Sequence, residues 1–221
     1  MMLTALGGTR RTARQTALKG AAFAAAAVLS TISSGKPVAA QTIIDEWASV
    51  KAPPPPELKP VTADGKTALL LLDFLKQNCG ARPRCLASVP KIQKMADEAR
   101  AKGILVAHSL FAQGKAEDLL IAKREGEPVV MAGANKFLRT DLEKILKDKG
   151  ITTVIVTGTA AHGAVLNTAV AAALLGFKVV VPVDGMSADP YAEQYTAWHL
   201  ANAPGGIAAN VTLTKSDMIR F

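Results

Sequence analysis

The chain has 221 residues, enough for one domain with a tail, and its 49% hydrophobic content with only 5% aromatics is the make-up of α/β proteins. The formal net charge of +8 is concentrated at the N-terminus, where Arg10, Arg11, Arg14, Lys19 and Lys36 stand with no acidic residue among the first 40. Without them 21 basic residues face 18 acidic ones, a net of about +3, and no basic run interleaved with aromatics remains to argue for nucleic acid as a partner.

Residues 1–40 read as an export signal. A basic stretch through Lys19 is followed by an apolar, alanine-rich run over 20–32, too short to span a bilayer comfortably. Val38-Ala39-Ala40 offers small residues for cleavage near Ala40, with Gln41 as the mature start. Thr9-Arg10-Arg11 resembles the twin-arginine signal, although Ala13 and Arg14 stand where that signal favours bulky apolar residues; a general secretory signal or an uncleaved anchor is the alternative. The expectation is a periplasmic protein with no stable membrane anchor after processing.

Residues 41–65 read as an arm that packs on the domain or on a neighbouring subunit. A short amphipathic helix is expected over 42–51, and Pro53 to Pro56 then make a stiff polyproline spacer. From residue 66 to 221 strand and helix patterns alternate. Strands are expected over 67–73, 104–108, 128–131, 151–157, 177–183 and 211–214, and helices over 90–102, 140–149, 163–175 and 191–203. Such alternation predicts a mostly parallel sheet covered by helices on both faces, a three-layer sandwich whose ligands bind at the carboxyl ends of the strands. Cys79 and Cys85, six positions apart with no histidine nearby, read as a small disulfide loop in an oxidising compartment or as two independent thiols.

The carboxyl ends of these strands carry the candidate site. Asp73 closes a continuous aliphatic strand, where partial desolvation suits a carboxyl to proton transfer; the alternative is a turn cap or a partner for a cation. His108 ends the next strand and is expected to line the pocket. Gly158 and Gly163 frame a turn that superficially resembles a P-loop, but Ala164-Val165 replaces the required Lys-Ser/Thr, which excludes nucleotide binding of that kind. The N–H groups of Gly163 and Ala164 open a helix there, a place that attracts an anion or a developing oxyanion. Three scattered histidines make no metal site, and no cofactor is expected.

Asp73-Phe74, the block from Phe137 to Leu142, the turn from Val156 to Val165 and the block from Gly176 to Asp184 together resemble the ordered blocks of the isochorismatase-like hydrolase superfamily. The resemblance implies a Rossmann-like sheet of six strands, a small-molecule substrate and a homo-oligomer. In its cysteine branch an Asp, a Lys and a Cys act together, and here the cysteine position carries Ala164. The family lysine position falls near Met131 or Ala132, so Lys136 either supplies that charge from a displaced place or is a solvated loop lysine. In the cysteine-free branch, which cleaves vinyl ethers, the aspartic acid protonates carbon and water captures the cation. The resemblance therefore implies Asp73, Lys136 and Ala164 as the catalytic set, with Phe74, His108, His162 and Gly163 at the substrate; His162 otherwise reads as a turn histidine and Asp184 as a structural turn residue. Two functions follow: a hydrolase working through Asp73 without a covalent intermediate, or a periplasmic binding protein that kept the pocket and lost the chemistry.

Overall fold

The computed structural model describes residues 41–111 and 113–221, so the expectations for residues 1–40 lie outside the described residues. The chain divides into two units, residues 1–50 and 51–221. In the first, helix α1 (Ile43–Glu46) begins at Thr42, whose N–H and hydroxyl both donate to the Asp45 carboxylate at 2.8 Å. Ile43, Ile44 and Trp47 are exposed on it.

The second unit opens with β1 (Val61–Thr62), β2 (Thr67–Leu72), α2 (Lys76–Cys79), α3 (Pro83–Ala101), β3 (Leu105–Leu110) and β4 (Val129–Met131). It continues through α4 (Leu142–Asp148), β5 (Thr153–Thr159), α5 (Leu166–Leu174), β6 (Lys178–Pro182), β7 (Met186–Ser187), α6 (Pro190–Asn202), α7 (Ile207–Asn210), β8 (Val211–Thr214) and β9 (Ile219–Arg220). The central sheet runs β4-β3-β2-β5-β6-β8, every pair parallel. β7 lies beside the end of β5 through Gly158–Met186 and Thr159–Ser187, making seven strands where six are expected. Two residues between Gly185 and a helix start are too short to show a period, which is why β7 is invisible in the sequence.

All six residues of β2 are buried, as a strand covered on both faces requires. Leu70 and Leu72 join the core under α4, α5 and α6, while Leu69 and Leu71 join the core under α3. Helix α3 begins at Pro83, not near Pro90. Proline suits the first helical turn, so Pro90 reads as a start signal, yet here it sits inside the helix while Pro83 holds that place. Cys79 and Cys85 are joined in a disulfide that ties α2 to α3.

Part of the segment expected as an arm is built into this unit. Lys59 N–H donates to the Leu213 carbonyl at 2.9 Å, and β1 pairs in parallel with β9 through Val61–Ile219 and Thr62–Arg220. Among the described residues no helix is long and apolar enough to cross a membrane.

The chain builds outward from β2 to β3 and β4 on one side, then returns to place β5, β6 and β8 on the other. The carboxyl ends of β2 and β5 are therefore the switch point where a parallel sheet opens a crevice. Asp73 follows β2, and the turn after Thr159 follows β5.

Candidate functional site

Asp73 leaves β2 with φ of 56°, in the left-handed region that aspartate tolerates better than most residues. Three neighbours hold it there. Its N–H donates to Ser109 Oγ at 3.2 Å, and its carbonyl accepts Leu75 N–H at 2.8 Å and Asn78 Nδ2 at 3.3 Å. The side chain is only 4% exposed, with Oδ1 accepting the Ser109 hydroxyl at 2.7 Å and Oδ2 accepting Lys136 Nζ at 2.7 Å.

Lys136 is fully buried in the loop between β4 and α4. Its three ammonium protons go to Asp73 Oδ2, the Gly133 carbonyl at 2.8 Å and the Ala132 carbonyl at 3.2 Å. The Phe111 ring lies 5.8 Å from Nζ, within cation–π range. Lys136 N–H donates to Thr168 Oγ1 at 3.2 Å, and its carbonyl accepts the Thr140 hydroxyl at 2.6 Å. Thr168 lies on α5, so the lysine loop is fastened to the helix that follows the β5 turn. Burial pushes the Asp73 carboxyl up against the pull of Lys136 and Ser109, and pushes the Lys136 ammonium down against the pull of Asp73.

Residues 161–165 after β5 form a single π-helical turn before α5. Ala164 is buried there, one turn before Thr168, and packs in the core with Val165 and Ala161. The Gly163 N–H, expected to face a ligand, donates to the Ala160 carbonyl at 3.0 Å. His162 is exposed. Phe111, Met131 and Leu138 are exposed large apolar side chains, the first two at adjoining ends of β3 and β4 and the third two residues after Lys136.

Two expected pocket residues lie elsewhere. His108 occupies the opposite face of β3 from Ser109, because successive side chains of a strand alternate. Its Nε2 meets Glu127 Oε2 at 2.9 Å on the α3 side, and Nδ1 is buried without a partner. Burial holds this imidazole below its ordinary value, outweighing the Glu127 carboxylate. Phe74 is buried in the α3-side core with Ile92 and Ile121. Asp184 accepts from Lys91 Nζ at 2.7 Å and from the Ser216 N–H and hydroxyl, a strut between α3 and the C-terminal turn. Ser109 is the residue that sequence reading missed. Its signal was available in the period of two, once β3 is carried to Leu110 instead of stopping at His108.

The Glu127 cluster makes a pH-dependent prediction. Burial alone would raise the Glu127 carboxyl, but Arg100 in a bidentate contact, the Arg124 N–H and His108 together hold it at about 2. A depressed carboxyl stabilises the fold above its unfolded value near 4.5 and loses that contribution as pH falls from there towards 2. After allowance for solvent screening this is about 2–3 kcal/mol. Urea denaturation of the wild type and Glu127→Gln across pH 7 to 2 is expected to show two curves that converge at low pH. A gap that stays constant with pH would contradict it.

Comparison with known proteins adds a second line of observation. The isochorismatase domain family matches residues 67–215. An isochorismatase family protein from Desulfovibrio vulgaris superimposes with a TM-score of 0.61 at 22% identity, covering 69% of this chain and 95% of that one. An N-carbamoylsarcosine amidase from Thermoplasma acidophilum gives 0.58 at 21% identity, with 68% and 96% covered. A nicotinamidase from Staphylococcus aureus gives 0.58 at 19% identity, with 67% and 99% covered. No curated protein matches the sequence.

Proposed function

This chain belongs to the isochorismatase family, and from that premise we propose that it is an exported hydrolase of a small molecule, with Asp73 as its acid–base group and no cysteine nucleophile. The observation that carries the reading is the buried Asp73–Lys136 pair at the switch point of the sheet. Desolvation moves the carboxyl towards the range in which it holds and releases a proton at ordinary pH. Lys136 supports the charged form of the same group and offsets the cost of burying it.

The absence of a covalent step is supported by position 164, where an alanine packs into the core, and by the two cysteines of the chain, which are bonded to each other. The chemistry that fits is protonation of a substrate atom by Asp73 and capture of the resulting cation by water, as in the cleavage of a vinyl ether. Phe111, Met131 and Leu138 give the approach an apolar rim. Export is supported by the order of basic, apolar and small residues over 1–40, and a disulfide suits an oxidising compartment.

One observation favours a second reading, a binding protein without catalysis. All three Lys136 protons and the Gly163 N–H are already placed on protein acceptors, which leaves fewer free donors for a developing negative charge. The test is to purify the protein from the periplasmic fraction, confirm by intact mass a start near Gln41, and screen it against vinyl ethers and amides. Product formation supports the hydrolase. Ligands that raise the melting temperature with no product from any of them support the binding protein. Full-length protein confined to the cytoplasm would remove the export part.

A further inference from the structure

Ser109 is completely buried, and its hydroxyl is spent entirely on Asp73. Oγ accepts the Asp73 N–H at 3.2 Å and gives its only proton to Asp73 Oδ1 at 2.7 Å. One side chain on β3 thus holds both the backbone of a residue in the left-handed region and one oxygen of its carboxylate. The other oxygen, Oδ2, faces Lys136 Nζ.

We infer that Ser109 is a positioning residue for Asp73: it holds the left-handed turn after β2, fixes the plane of the carboxyl between its own hydroxyl and the Lys136 ammonium, and favours the ionised form. The inference rests on the reading of Asp73 as the acid–base group. It explains how two chemically equal oxygens become unequal, Oδ1 held by a neutral hydroxyl and Oδ2 by an ammonium. Lys136 stabilises the charge that appears on the carboxylate when its proton leaves. The strand supplies this asymmetry by alternation alone, since His108, one position earlier, faces the other side of the sheet.

The experiment is a carbon-13 NMR titration of the aspartate carboxyl groups in the mature protein, with the Asp73 signal assigned by its loss in Asp73→Asn. Ser109→Ala removes a donor to the ionised carboxylate, so the Asp73 titration is expected to move to higher pH. Ser109→Thr and Ser109→Val share one shape and differ in the hydroxyl. Threonine is expected to titrate as the wild type does and valine as alanine does. Where turnover is measurable, Ser109→Ala is expected to lower kcat roughly tenfold and displace its pH profile in the same direction, with KM little changed. An Asp73 titration unmoved in both the alanine and the valine variants would overturn the inference, as would equal shifts in valine and threonine, which would assign the effect to packing. The titration needs no substrate. A shift in the variants of a protein that turns nothing over would keep the role of Ser109 and remove only the hydrolase.

Discussion

Asp73→Asn is expected to reduce hydrolysis by about 10²–10⁴-fold, the contribution typical of one positioned acid or base. Asparagine keeps the shape and an oxygen to accept from Lys136, so the fold should survive with a lowered melting temperature. The loss should fall on kcat, because Asp73 is almost wholly buried and, in the proposed role, acts on the reacting atom and not on the rest of the substrate. Iodoacetamide should leave turnover unchanged in the same assay, since Cys79 and Cys85 are bonded to each other and neither lies in the turn after β5. Full activity in Asp73→Asn would place the chemistry elsewhere. Inactivation by iodoacetamide in the unreduced protein would place a reactive thiol in the pathway and remove the non-covalent mechanism.

Lys136→Met is expected to cost about 3–5 kcal/mol of stability at neutral pH, a large share of what holds a domain of this size. The reason is the carboxylate it abandons. Asp73 would keep its serine hydrogen bond but lose its only cationic partner among the described residues, in a nearly dry site. Protonation relieves that cost. Without the ammonium the Asp73 carboxyl rises further above its unfolded value, so the penalty grows as pH rises through the window between the two and fades as pH falls below it. The double variant Asp73→Asn with Lys136→Met should recover much of the loss, a non-additivity that marks a desolvated pair. Denaturant titrations of the four proteins at pH 7 and pH 4 measure it. A cost below about 1 kcal/mol for Lys136→Met would mean that water reaches the pair and that the site is not the low-dielectric one described.

The sheet was legible because burial on both faces leaves a continuous aliphatic run, and β2, β5 and β6 each carry one. The seventh strand was not, since a two-residue bridge leaves no pattern. Asp73 was legible for the same reason as its strand: a carboxylate that ends such a run must be explained. Its partner was harder. Lys136 lies 63 positions away in a loop, and no local period says whether a loop lysine turns outward or inward. His108 and Phe74 show the opposite error, in which residues of suitable chemistry stand near the right strand ends but face the other core. Successive side chains of a strand face opposite sides, so the residue taken as its end decides which side is read as facing the crevice. Ending β3 at His108 in place of Leu110 therefore selected the histidine and concealed the serine.

The ladder between β1 and β9 joins residues almost the whole length of the folded unit apart. Closing a loop of that size costs more entropy than nearer contacts do, so the pairing draws on the order of the intervening chain. β8 meets β6 across a much shorter separation. The ladder is thus a latch rather than a foundation. It fastens the strand that follows the polyproline stretch to the last strand of the unit, and in closing it lays Val61, Ala63 and Ile219 over the core beneath α3. Asp73 and Lys136 stand after β2 and β4, outside the ladder. Loosening the latch is therefore expected to expose the floor of the domain while leaving the ion pair seated.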